Sequence, residues 1–371
     1  MHISLPPLAS LAKRSTLLTL VLCIVLGLSA IPAHAVGLIA GLPPGNAIKD
    51  PQALLRLALP FDNDAIRAVQ LDLEDIESQA RGRRWSGVKS DIVKASSTFK
   101  RKKTEILESV LPENQAKAEP LAEEIIEDLE LLKVAADEKD GTKIKTLRAD
   151  IMTKIGTLEA AMVDGFPFEI PEEYQTLPQL RGRATVEMQT SKGTLTLVVD
   201  GYNAPITAGN FVDLVQRKFY NGLPFTRSEE SYVVQGGKPK GDAIGFVDPK
   251  TKQYRSIPLE IRTEEEEVPI YGVTLEDAGL YLEHPRLPFS AYGAIAMAHG
   301  DDPNDASSQF FFHLFESELT PAGSNLLDGR YAVFGYVTRG KEVLGDLKEG
   351  DTIVNVKVTE GLDHFVKSSA A

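Results

Sequence analysis

"DASSQFFFHL" (305–314) sets a polar Ser-Ser-Gln directly against three phenylalanines. A strand explains the pattern, because its side chains alternate between two faces. Gln309, Phe311 and His313 then share one face, and Phe310, Phe312 and Leu314 share the other. Both faces carry bulk, so neither is fully solvated. The Gln309/Phe311 face sets one amide beside one ring, which is the character of a binding groove. An ordinary sandwich strand with a hydrogen-bonded glutamine fits the same ten residues, and this stretch alone leaves both readings open.

Period-two alternation extends on either side of it. "ATVEMQT" (184–190) and "GTLTLVVD" (193–200) alternate around Ser191-Lys192 and read as a hairpin. "APITAGNFVDLVQRKFY" (204–220) reads as a helix with Pro205 near its start, and a further helix is expected near 341–348. Short strands and glycine turns fill the remainder. The expectation for 184–362 is a mainly-β domain with a few helices, a closed barrel, followed by a tail at 363–371.

Upstream the period is helical. Ile66, Val69, Leu73 and Ile76 form one stripe, and Leu121, Ile125, Leu129 and Leu132 another. Ile144, Leu147, Ile151, Ile155, Leu158 and Met162 form a third. Gly82, Gly87, "LPEN" (111–114) and "DEKDGT" (137–142) interrupt or turn the chain. Residues 63–163 are therefore expected to be an all-α bundle of three or four antiparallel helices, with Trp85 as a core or capping residue. "KRKK" (100–103) reads as a solvated helix face, with contact to an acidic partner as the rival reading. Residues 164–183 carry three prolines and no stripe, and are expected to be a linker. Residues 36–62 are rich in Pro and Gly, and are expected to be an exposed, irregular lead-in with one short helix near 51–58.

The first 35 residues read as a secretory signal peptide. Lys13-Arg14 precede an apolar run (16–30), and "AHA" (33–35) is a cleavage site, with processing after Ala35. No stable membrane span is expected after cleavage. Cys23, the one cysteine, lies in this segment, so the processed chain is expected to have no disulfide, thiol chemistry or zinc-thiolate site. Apolar residues at 43% and charged residues at 25% are globular values, and a length of 371 residues suggests two or three domains. Net charge is −13, without a dense basic stripe, which argues against nucleic acid as a partner. His284, His313 and His364 have no ligand spacing, so neither a metal nor a cofactor is expected.

Four stretches fit one pattern: "NFVDLVQRKFYNGLPFTR" (210–227), "YVVQGGKP" (232–239), "AIAMAHGDDPNDASSQFFFHL" (294–314) and "LLDGRYAVFGYV" (326–337). On these, the sequence resembles the cyclophilins, eight-stranded-barrel peptidyl-prolyl isomerases, over about 180–362, half of the chain. The resemblance implies that Arg227 is the catalytic arginine and that Gln235 orients it and the substrate. It implies that Gln309 binds peptide backbone and that Phe311 floors the proline pocket. Phe225 corresponds to a barrel-packing phenylalanine, Ala298 to a small residue of the peptide-binding loop, and Leu327 to a pocket-wall leucine.

Other positions depart from the family. The pocket phenylalanine is Tyr232 and its methionine neighbour is Val233. The groove asparagine is His299, the expected tryptophan is Leu326, and the pocket histidine is Tyr331. "SEES" (228–231) brings Glu229 and Glu230 near Arg227, where they are expected to pair with it. The pocket is reshaped, and weak cyclosporin binding follows. Residues 262–289 are a long insertion whose "EEEE" reads as a solvated loop, with a docking surface as the rival reading.

The order of signal, bundle, linker and barrel resembles a narrower family, the multidomain cyclophilins of the thylakoid lumen. "VPIYGVTLEDAGLYL" (268–282) and "SSQFFFHLFESELTPAGSNLLDGRYAVFGYV" (307–337) carry that likeness. It implies a thylakoid lumen location, with the periplasm as alternative. It also implies proline-containing client segments, photosystem II subunits among them, and a role in photosystem II assembly or repair. Two rival readings stand beside the isomerase. One is a catalytically weak scaffold that holds proline-containing loops. The other is an interaction protein whose bundle binds partners or masks the groove.

Overall fold

The computed structural model describes residues 48–315 and 325–367, which form part of one compact unit. The segment read as a signal peptide lies outside the described residues.

Four helices form the bundle: α2 (Asp64–Arg81), α3 (Trp85–Glu108), α4 (Gln115–Asp137) and α5 (Gly141–Ala160). Each apolar stripe faces inward. Ile66, Val69, Leu73, Ile125, Leu129, Leu132, Ile151, Ile155 and Leu158 are wholly buried in one cluster. Side-chain oxygens of Asn63 and Asp140 cap α2 and α5 at the backbone N–H groups of Ile66 and Lys143. Trp85 opens α3 and packs partly buried against the core. In "KRKK", Lys100, Lys102 and Lys103 pair with Glu130, Glu105 and Glu123 of the bundle itself. That compensation suits a solvated face better than a docking patch.

The second half is an eight-stranded antiparallel sheet. Its strands are β2 (Arg183–Thr190), β3 (Thr194–Asp200), β4 (Arg227–Glu229), β5 (Val233–Gly236), β8 (Ala294–Met297), β9 (Phe310–His313), β10 (Val333–Arg339) and β11 (Ile353–Glu360). The order is β11-β2-β3-β10-β8-β9-β5-β4. The sheet curls until its ends meet, where residues 222–225 exchange backbone hydrogen bonds with 350–353. Short pairs join β1 (Gln179–Leu180) to β12 (Phe365–Val366), and β6 (Glu260–Ile261) to β7 (Ile270–Tyr271).

Helix α6 (Pro205–Gln216) packs against the inner core, with Phe211 set edge-on to Phe310 at 5.4 Å. Its Ncap, Ala204, has no side-chain acceptor, so a distant group serves. The buried Glu260 carboxylate accepts from the N–H groups of Ile206 (3.0 Å) and Thr207 (2.9 Å) and from Thr207 Oγ1 (3.0 Å). Burial nevertheless pushes Glu260 up to about 7.

One expectation is corrected. Within the lead-in, α1 (Pro51–Leu57) is not exposed: Leu54, Leu55, Ala58 and Leu59 are buried. A seven-residue helix has no core of its own, and it finds one on the outer face of the sheet. Leu54, Leu55 and Ala58 join Val333, Tyr336, Phe289 and Phe311 in one cluster. The carbonyls of α1's last turn are held from both sides. Arg67 of the bundle donates to Arg56 O (2.7 Å) and Leu59 O (2.9 Å). Arg183 and Asn203 of the sheet domain donate to Leu55 O and Ala58 O. Residues 164–183 also lie against the barrel: Ile170 is in its core, and Phe166, Phe168 and Leu177 pack upon it.

Candidate active site

Strand β9 separates its side chains as alternation requires. Phe310, Phe312 and Leu314 lie in the inner core, and Phe311 lies in the outer cluster. Cross-strand partners share a face, and the register aligns Arg227, Gln235, Phe311, Ala296 and Val333 in one row across five strands. A second row on the same face runs Glu229, Val233, His313, Ala294 and Tyr336. A guanidinium, an amide and an aromatic floor thus come side by side from segments far apart in sequence.

The polar groups are linked. Gln235 Nε2 donates to Gln309 Oε1 (3.0 Å), and Gln309 Nε2 donates to the carbonyl of Ile244 (2.6 Å). Gln309 is therefore hydrogen-bonded through both its carbonyl and its amide nitrogen. Arg227 stands on the edge strand with its side chain 48% exposed. Its Nε donates to Glu229 Oε1 at 2.7 Å, and its guanidinium carbon lies 5.9 Å from the Tyr232 ring centre. Among the described residues Glu229, not Glu230, takes the arginine.

Aromatic rings surround Phe311. Phe311 is only 5% exposed. Phe289 stacks on it at 5.9 Å, and Tyr331 meets it edge-on at 5.4 Å. His299 in turn stacks on Tyr331 at 4.4 Å, held by contacts of its ring nitrogens with Gly300 O and Arg330 O. Tyr232, 38% exposed, leans on His313 rather than on the floor. Burial pushes His313 down to about 4, so it stays neutral and packs among aromatic rings.

Not every expected residue converges. Phe225 is buried in the inner core, behind the groove, as a barrel-packing residue. Leu326 is 88% exposed. Val233 is buried in the outer cluster, with Ala298, Leu327 and Tyr331 partly buried at its margin. Two partners escaped the sequence reading. Phe289 closes a segment read only as an insertion, and the Ile244 carbonyl is a backbone group with no side-chain signal.

This face of the barrel brings together an arginine, two glutamines and a cluster of aromatic rings. Residues 185–363 match the family model described as cyclophilin type peptidyl-prolyl cis-trans isomerase/CLD. Residues 50–163 match the model of the CYP38-like, PsbQ-like domain. The chain is 52% identical, over the full length of both, to a Synechocystis protein named as a thylakoid lumen peptidyl-prolyl cis-trans isomerase. It is 44% identical to Arabidopsis thaliana chloroplastic CYP38, covering 88% of this chain and 77% of that one. Arabidopsis CYP37 is 31% identical, covering 84% and 69%. The chain belongs to the cyclophilin-type peptidyl-prolyl cis-trans isomerases.

Proposed function

We propose that this chain isomerises Xaa-Pro bonds of client proteins in the thylakoid lumen, and that its clients are photosystem II subunits under assembly or repair. The observation that carries the catalytic part is the Arg227–Gln235–Phe311 row. Rotation about an Xaa-Pro bond meets a barrier of about 18–20 kcal/mol, because amide resonance must be broken. As the bond twists, the prolyl nitrogen becomes pyramidal and regains its lone pair. A guanidinium N–H aimed at that nitrogen stabilises the twisted state without proton transfer. Phe311 would seat the proline ring while Gln235 and Gln309 fix the flanking backbone. The lumenal location rests on the relatives' names, and the photosystem II role on the PsbQ-like match alone.

The test is catalysed cis/trans exchange of a short Ala-Pro peptide, followed by NMR exchange spectroscopy on the chain lacking its first 35 residues. Exchange accelerated in proportion to protein concentration is expected. Exchange no faster than in buffer would leave a scaffold that holds proline-containing loops.

That scaffold reading has one observation in its favour, the burial of Phe311 beneath Tyr331. Tyr331→His substitutes a smaller ring, and is expected to raise kcat/KM about three- to ten-fold, on the order of 1 kcal/mol. An unchanged or lower value would show that Tyr331 does not obstruct the floor. The masking reading keeps one observation of its own: Leu54, Leu55 and Ala58 share a cluster with Phe311, while Arg227 stays half exposed.

A further inference from the structure

We propose that Glu229 sets the charge preference of the groove, so that clients carrying Lys or Arg beside the proline are favoured. The inference rests on the isomerase reading of this face and names the class of client it takes. Glu229 follows Arg227 by two residues on β4, so period two places both side chains on the groove face. Its register partner is Val233, one row along from the Gln235 and Phe311 row. Two residues of strand span about 7 Å, which matches the reach from a proline ring to a neighbouring side chain in an extended peptide. A cation flanking the proline therefore meets a carboxylate there, and an anion is repelled.

The same carboxylate engages the Nε of Arg227, and the pair is exposed at 48% and 50%. Pairs so exposed are weak and easily exchanged. A client cation that takes over Glu229 frees the Nε–H of Arg227, which adds one donor at the arginine when the prolyl nitrogen needs it. Cationic clients should thus gain in kcat as well as in KM. Glu229 acts through Arg227 and through the client's charge, so it is a positioning and specificity residue rather than a catalytic one.

The experiment compares acetylated peptides that differ only two residues before and one residue after the proline, Ala-Lys-Ala-Pro-Lys-Ala against Ala-Glu-Ala-Pro-Glu-Ala, by NMR exchange at about 10 mM salt. The Lys peptide is expected to be turned over about ten-fold faster in kcat/KM, with part of the gain in kcat, and the ratio should shrink at about 0.5 M salt. In Glu229→Gln the ratio should fall to about two or less, and Glu229→Asp should restore part of it. Equal rates for the two peptides in the unmodified chain, or an undiminished ratio in Glu229→Gln, would overturn the proposal. If no peptide is exchanged by any form, the isomerase reading fails separately. Binding of the same two peptides, followed by titration, then still decides whether Glu229 selects charge.

Discussion

Arg227→Ala is expected to lower kcat/KM for Ala-Pro exchange by about 10²–10³-fold, the loss seen when one preorganised transition-state donor is removed. The expectation follows from position and chemistry. Arg227 supplies the guanidinium in the row that contains Phe311. Gln235 already donates an amide N–H to Gln309 Oε1, and Gln309 donates one to Ile244 O. Neither replaces a cationic donor fork. The fold should be indifferent, because Arg227 lies half exposed on an edge strand and its one ionic partner among the described residues is the half-exposed Glu229. Thermal unfolding of the variant should stay within about 0.5 kcal/mol of the unmodified protein. Arg227→Lys should recover little, since a point charge lacks the planar fork. Full exchange activity in a well-folded Arg227→Ala protein would remove the arginine from the mechanism and leave the reaction to the hydrophobic pocket.

The parts of this molecule that were legible in its sequence are those governed by local period. β9 can be read from its unbroken run of phenylalanines, because both of its faces are buried and each demands apolar side chains. The bundle can be read because its helices bury single stripes, such as Ile66, Val69, Leu73 and Ile76. Helix α1 escaped because its burial is decided elsewhere. Pro and Gly around it signal irregular chain, whereas the groups that hold it, such as Arg183 and Asn203, come 128 and 145 residues later than the carbonyls they bind. The site shows the same division. Arg227, Gln235, Gln309 and Phe311 stand in motifs that resemble those of the cyclophilins, so they were named by the resemblance. Phe289 was not, because only the folded register places its ring against Phe311. The burial of Phe311 was invisible for a related reason: it depends on where Phe289 and Tyr331 lean, not on any spacing.

The same non-local assembly leaves a charge in an unusual place, and acidic pH is expected to stabilise the protein through it. Glu159, on the last turn of α5, is wholly buried, and neither carboxylate oxygen has a hydrogen-bond partner among the described residues. Burial pushes it up to about 7, against the opposing attraction of Arg67, Arg56 and Arg183, with Glu74 adding repulsion. Arg67 lies 3.8 Å away, but its guanidinium also serves the α1 carbonyls Arg56 O and Leu59 O. In the unfolded chain Glu159 would titrate near 4.5. Between these values the folded state holds a proton that the unfolded state has lost, so stability falls as pH rises through that window. A gap of this size corresponds to about 3 kcal/mol. Glu260, also raised to about 7, contributes with the same sign. Urea unfolding should therefore show a higher midpoint near about pH 5 than near about pH 8. Glu159→Gln keeps the shape without the charge, so its midpoint should exceed that of the unmodified protein at the higher pH. Its dependence on pH should be flatter, with the remainder set by Glu260 and, opposing it below about pH 6.5, by the buried neutral His313. A Glu159→Gln protein with an unchanged slope would mean that the carboxylate finds water or a partner when ionised, and that Arg67 answers it as a true ion pair at the seam between bundle and barrel.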